Sequence, residues 1–120
     1  MSNRTMITEA RELLPAARRH VESIAAAHGV RTEPIDEVWP LTGRIENRLR
    51  QTQATDRDGE LMTAHMIARQ ADALAAFLGL VDCCEGTDGF DVEHADDDIW
   101  ADYYVRRVQD AARSIRKHIC

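Results

Sequence analysis

An acidic stretch around residue 90 holds the densest group of side chains that could bind a ligand. Between Glu85 and Asp102 the sequence has eight aspartates and glutamates and no lysine or arginine, whereas the net charge of the whole chain is −6. Carboxylates bind Ca²⁺, but an EF-hand loop needs a glycine at its sixth position and a glutamate at its twelfth. No register here satisfies that pattern, so we predict a surface that attracts a basic protein partner rather than a metal site. The predicted contact residues are Asp88, Asp91, Glu93, Asp96, Asp97 and Asp98.

Histidines and cysteines are present but do not have the spacing of a metal site. Structural zinc sites pair their ligands two to four residues apart, and only His118 and Cys120 come near that spacing. The adjacent Cys83 and Cys84 would diverge around a helix, so we predict no metal and no cofactor. We expect His65 to be a partly buried, hydrogen-bonded residue of a central helix.

Arg113 and His118 are separated by four residues near the carboxyl end of the sequence. This spacing resembles the R-x4-H motif of the HEPN ribonuclease superfamily, whose members are small all-helical proteins and often dimers. The resemblance covers six residues, and Ser114 stands where the family often has a polar residue such as asparagine. It implies metal-independent RNA cleavage, in which Arg113 stabilises the phosphate and His118 acts in acid–base chemistry.

Other enzyme motifs are missing from the sequence. There is no glycine-rich phosphate loop, no G-x-S-x-G elbow and no H-E-x-x-H motif. The sequence therefore favours a non-catalytic protein, with the ribonuclease as the alternative.

Composition and charge indicate a single domain that contacts neither a membrane nor nucleic acid. The chain has 120 residues, of which 44% are hydrophobic, 30% charged and only 5% aromatic. We expect one domain over residues 1–120. No apolar run approaches the ~20 residues of a membrane span, and the first residues lack the apolar core of a secretory signal, so we expect a cytoplasmic protein without membrane contact. The negative net charge disfavours direct nucleic-acid binding.

The elements that position these residues are predicted to be helices. Apolar residues recur every three or four positions over four stretches, and β-branched runs are absent. We predict an all-α antiparallel bundle with helices over 5–28, 41–55, 58–84 and 98–119, and an irregular acidic segment over 85–97. The first helix should bend at Pro15 and end at Gly29, Asp58 should cap the third helix, and the aspartates at 96–98 should offer a cap for the fourth. Between the first two helices, Ile35, Val38 and Trp39 should cover one end of the bundle, with a single helical turn after Pro34.

The stretch 58–84 should be the centre of the bundle because it carries two apolar stripes. The first is Ile67, Ala71, Leu74, Leu78 and Val81, and the second is Met66, Ala73, Phe77, Leu80 and Cys84. A helix that is apolar on two sides should be contacted on both, so a structural homodimer is a further alternative.

The sequence as a whole favours a non-catalytic regulatory protein that uses an acidic surface to bind a basic partner. In size and charge it is similar to phage-encoded inhibitors of bacterial defence systems. Because basic partners include nucleic-acid-binding enzymes, a further expectation is that the protein inhibits a nucleic-acid-binding host complex.

Overall fold

Four long α-helices form most of the chain, as predicted. The computed structural model describes residues 2–51, 59–85 and 90–119. The helices are α1 (Asn3–Ala27), α2 (Leu41–Gln51), α3 (Gly59–Cys84) and α4 (Ile99–Ile119). They form one all-α bundle, and the described residues contain no named strand. Residues 52–55 of the predicted second helix and the predicted cap Asp58 lie outside the described residues.

Helix α3 is the centre of this bundle because it packs against all three other helices. The first predicted stripe, from Ile67 to Val81, is buried throughout. Seven alanines of the chain's core are fully buried, and these small side chains let helix backbones approach closely. The second stripe differs, since Met66 and Leu80 stay exposed while Ala73, Phe77 and Cys84 are half-buried.

Helix α1 runs antiparallel to α3. Arg11 forms an ion pair with Asp82 near one end, and His28 Nε2 lies 3.7 Å from Glu60 Oε2 at the other. The helix is continuous across Pro15, as expected, whereas the bend predicted there stays a prediction. The helix ends at Ala27, and Gly29, the residue after the cap His28, has a φ of 75°, which is the left-handed conformation of a Schellman motif. The amide of Val30 donates to the carbonyl of Ala25 at 2.8 Å to complete that motif.

The connection between α1 and α2 contains a tight two-residue turn at Asp36 and Glu37, so the predicted helical turn after Pro34 is wrong. The backbone amides of Ile35 and Val38 each donate to the other residue's carbonyl, at 3.1 and 2.8 Å. Asp36 and Glu37 between them both have positive φ, at 48° and 67°. This turn leaves the side chains of Ile35 and Val38 exposed. Trp39 does pack against the core, as predicted, and its Nε1 donates to Glu22 Oε1 at 3.1 Å.

The acidic segment is more regular than predicted. A 3-10 helix spans Val92–Asp97, with non-helical backbone angles at His94. It forms here because Asp91 caps its first turn and because Val92 and Ala95 are buried in the core. The described part of the segment is therefore a folded element of the bundle.

Candidate protein-binding surface

Three of the predicted contact carboxylates bind the protein's own backbone. Asp91 Oδ1 accepts from the amide of Glu93 at 3.0 Å and caps the 3-10 helix. Glu93 Oε1 accepts from the amide of Arg4 at 2.8 Å, which satisfies one of the free amides in the first turn of α1. Asp98 Oδ1 accepts from the amides of Trp100 and Ala101 at 2.9 and 3.3 Å, which confirms the predicted cap of α4. These three carboxylates therefore stabilise helix ends.

Asp91 also binds His94, and the two side chains shift each other's protonation. His94 Nδ1 lies 2.8 Å from Asp91 Oδ2. This hydrogen bond is the main reason that the pKa of His94 is raised, with smaller contributions from the charges of Asp91, Asp97 and Asp96. The same bond, followed by the one from the Glu93 amide, lowers the pKa of Asp91. When His94 is protonated, its positive charge offsets the negative charge of the Asp91 carboxylate, and the pair is neutral overall.

Asp96 and Asp97 differ from these three carboxylates. Both are exposed, and within residues 90–119 and the other described parts of the chain neither forms a hydrogen bond or an ion pair. Asp88 lies outside the described residues. Asp96 and Asp97 are thus the predicted contact residues whose carboxylates face solvent without a structural partner.

Large apolar side chains follow Asp96 and Asp97 directly. At the start of α4, Ile99 is 82% exposed, Trp100 65% and Tyr103 47%. Large exposed apolar side chains that lie together mark interaction surfaces more often than single ones do. We call Asp96, Asp97, Ile99, Trp100 and Tyr103 the acidic–aromatic surface.

The exposed aromatic residues are held in place by their neighbours. Four of the chain's six aromatic rings form one cluster, which consists of Phe77, Trp100, Tyr103 and Tyr104. Phe77 of α3 meets Tyr103 edge-on, with ring centroids 5.9 Å apart, and the Arg107 guanidinium lies 5.3 Å from the Phe77 centroid. This packing reduces the freedom of Tyr103, so less entropy is lost when a partner binds.

Sequence reasoning missed the aromatic half of this surface. Their helical positions indicate exposure, because Trp100 and Tyr103 lie outside the apolar stripe of α4 that contains Val108, Ala111 and Ile115. That stripe is buried as predicted. An aromatic residue outside the buried stripe of an amphipathic helix lies on the face of the helix that is exposed to solvent.

Arg113 and His118 both lie on α4. Arg113 is largely exposed, and its Nη1 lies 3.9 Å from Asp110 Oδ1, whereas His118 is half-buried. Since successive helix residues are rotated by about 100°, a separation of five residues places the two side chains about 140° apart around the axis. Helix α4 alone therefore does not direct both groups at one phosphate, and the ribonuclease alternative stays a prediction.

The remaining polar groups do not form a metal site within the described residues, where no three histidine, cysteine or carboxylate side chains cluster. His65 is half-buried, as predicted, but its Nε2 is enclosed without a hydrogen-bond partner and lies 3.9 Å from Glu46 Oε2. The predicted hydrogen bond of His65 is therefore absent at this atom. No helix in the described part of the chain has the length and apolar character to cross a membrane.

No protein-family model, curated protein or solved structure matches this chain. The case for any function therefore depends on the surface itself.

Proposed function

We propose that the protein is a non-catalytic regulatory protein that binds a basic protein partner through its acidic–aromatic surface. The observation that carries this proposal is the exposure of Ile99, Trp100 and Tyr103 directly beside the unpaired Asp96 and Asp97.

Each half of the surface would have its own effect on binding. Tryptophan and tyrosine are enriched among the residues that contribute most to binding energy at protein interfaces. Exposed carboxylates mainly steer a partner of opposite charge and raise its association rate. The partner we expect therefore has an apolar pocket bordered by lysine or arginine side chains.

Nucleic-acid-binding proteins are one class with such basic surfaces. An acidic protein bound there would compete with nucleic acid, so we propose that the activity is inhibitory. Because the carboxylates act over a Debye length of roughly 8–10 Å, the association should weaken as salt is raised.

The test is capture of a partner from host lysate on the immobilised protein, with matched variants. We expect a stoichiometric partner that Trp100→Ala releases and that Asp96→Asn/Asp97→Asn releases at lower salt than the unmodified protein does. Asp110→Asn is the control, because Asp110 is an exposed carboxylate of α4 outside the surface. Equal capture by all four proteins would contradict the proposal.

The inhibitory part of the proposal has a separate readout. Once the partner is purified, the unmodified protein should displace a labelled oligonucleotide from it, and Trp100→Ala should fail to do so. Binding of protein and oligonucleotide together would refute inhibition by competition. Degradation of RNA by the purified protein, abolished in His118→Ala, would instead support the ribonuclease.

Self-association through α3 is a second candidate, favoured by the exposed half of its second stripe. Met62 and Met66, one turn apart, are 52% and 38% exposed, and Leu80 further along is 39% exposed. A second copy would remove these side chains from water. Sedimentation equilibrium tests this candidate, since Met66→Glu/Leu80→Glu should convert a dimer to a monomer. A monomer for the unmodified protein up to high micromolar concentration would exclude it.

A further inference from the structure

The turn at residues 35–38 exposes two large apolar side chains in the connection between α1 and α2. Ile35 is 53% exposed and Val38 is 62% exposed. The backbone hydrogen bonds between these two residues make them a directly opposed antiparallel pair. Side chains of such a pair lie on the same side, with Cβ atoms roughly 5 Å apart. Ile35 and Val38 therefore form one small apolar patch in water.

The two residues between them add negative charge to the patch. Asp36 and Glu37 are both exposed, and within the described parts of the chain neither carboxylate forms a hydrogen bond or an ion pair. Glu33, by contrast, is already paired with Arg31. The apolar patch thus lies directly beside two available carboxylates.

The backbone of this turn is unfavourable for its sequence. Two successive positive φ values, at Asp36 and Glu37, are those of a type I′ turn, in which asparagine and glycine are the usual residues. The Cβ atom of glutamate makes this conformation costly. Strained backbone persists where the surrounding structure enforces it, and it is concentrated at functional sites. Threonine would fit the positions of Ile35 and Val38 equally well without exposing apolar surface, so stability alone does not account for these residues.

Both arms of the turn are anchored to the bundle. On the α1 side, Arg44 Nη1 donates to the backbone carbonyls of Arg31 and Glu33, at 3.0 and 2.7 Å. On the α2 side, Trp39 packs against the core and its Nε1 donates to Glu22 Oε1 at 3.1 Å. The turn is held on both sides, so less conformational entropy is lost when it binds a partner.

We propose that this turn is a docking surface for a basic protein, whose contact site is an apolar pocket bordered by lysine or arginine side chains. The pocket would remove Ile35 and Val38 from water, and its basic border would complement Asp36 and Glu37. The same carboxylates would repel a nucleic-acid backbone or an anionic lipid surface. This surface is separate from the acidic–aromatic surface and does not depend on the proposed function.

Site-specific photo-cross-linking in host lysate is the first experiment. The photoreactive residue p-benzoylphenylalanine replaces Ile35 in one full-length chain and Met62, an exposed apolar residue of α3, in the control chain. We expect a product from position 35 that position 62 does not give, in which the cross-linked segment has apolar residues beside lysine or arginine. Absence of such a product, or cross-linking to a second copy of this chain, would overturn the proposal.

The cross-linked protein is then purified, and its affinity for variants of the turn is measured. Ile35→Thr/Val38→Thr keeps β-branched residues in the turn but removes the apolar contact, so it should weaken the affinity about tenfold. Met62→Gln is the control and should leave the affinity within about twofold. Thermal unfolding of each variant checks that the fold is retained. Equal affinities for the unmodified protein and the double variant would contradict the docking surface.

Asp36→Asn/Glu37→Asn tests the charge of the turn without loss of its shape, because asparagine adopts positive φ readily. We expect association with the purified partner to be severalfold slower at low salt and unchanged at high salt, where the carboxylates are screened. The thermal unfolding midpoint should not fall. An unchanged association rate at low salt would refute the charge complementarity and with it the proposal.

Trp100→Ala separates this surface from the acidic–aromatic surface. This variant is cross-linked from position 35 under the same conditions. Retention of the product would show that the turn has a partner of its own, and loss of the product would show that one partner contacts both surfaces. Either result supports docking at the turn, whereas a product from the unmodified chain at position 100 alone would support only the proposed function.

Discussion

The acidic segment and the connection between α1 and α2 are held in place by side chains of opposite charge. In the acidic segment, Asp98 and Glu93 accept hydrogen bonds from backbone amides, which leaves Asp96 and Asp97 for solvent. In the connection, Arg44 donates to the backbone carbonyls of Arg31 and Glu33. In both regions charged side chains hold the chain in shape by binding backbone groups. A cluster of like charges in a sequence therefore overstates the number of groups available for binding.

The largest effect that this comparison predicts is at Arg44. Arg44→Ala should lower the free energy of unfolding by about 2 kcal/mol, because it removes charged donors from two carbonyls and releases the connection from α2. Urea denaturation measures this change. Arg50→Ala on the same helix should cost less than about 0.5 kcal/mol, and equal losses for the two variants would contradict the structural role of Arg44.

The carboxylates of Asp98 and Asp96 should also differ in their contribution to the free energy of unfolding. Asp98→Ala should destabilise the protein by about 1 kcal/mol, because the amides of Trp100 and Ala101 lose their acceptor. Asp96→Ala should change stability by less than about 0.5 kcal/mol, as is usual for an exposed residue. Urea denaturation gives the free energy of unfolding of both variants. Equal values would mean that Asp98 contributes no more to stability than Asp96 does.

The connection between α1 and α2 provides a third comparison, between the two residues of its turn. Positive φ is costly for a residue with a Cβ atom and less so for aspartate or asparagine. Glu37→Gly should therefore raise the free energy of unfolding by about 0.5 kcal/mol, since strain relief exceeds the added entropy of the unfolded chain. Asp36→Gly should gain less, as measured by thermal unfolding. A loss of stability in Glu37→Gly would show that the Glu37 side chain contributes contacts of its own.

The smallest effect concerns the pair of His94 and Asp91. Because the pKa of His94 is raised, its contribution is complete below the usual value of 6.5 and is lost as pH rises through the folded pKa. Because the pKa of Asp91 is lowered, its contribution is present above the usual 3.8 and is lost as pH falls through the folded pKa. The pair therefore stabilises the fold most between these two usual values.

An NMR titration of the His94 ring tests this pair. Asp91→Asn should lower the pKa of His94 more than Asp97→Asn does, because Asp91 contributes a hydrogen bond as well as a charge. Equal effects of the two substitutions would mean that the acidic surroundings as a whole, rather than the hydrogen bond, raise the pKa.

Much of the fold was predictable because its signals are local. The apolar spacing of α3, the glycine after α1 and the aspartate before α4 each act within a few residues, and the structure confirms all three. The site was less predictable. Exposure of Trp100 follows from its position off the buried stripe and could have been inferred. The turn at Asp36 and Glu37 could not, because glutamate, unlike aspartate, is not a residue that favours positive φ.

By itself, the sequence determined four helices, the apolar centre of α3 and the concentration of negative charge around residue 90, because periodicity, capping and composition depend on neighbouring residues. Only the tertiary structure decided which charged groups remain available. Glu93 binds the amide of Arg4, a residue 89 positions away, and Arg44 binds carbonyls of a separate segment. For Glu93 and Arg44, the hydrogen-bond partner is a backbone group that folding brings from a separate segment, and no local pattern encodes it.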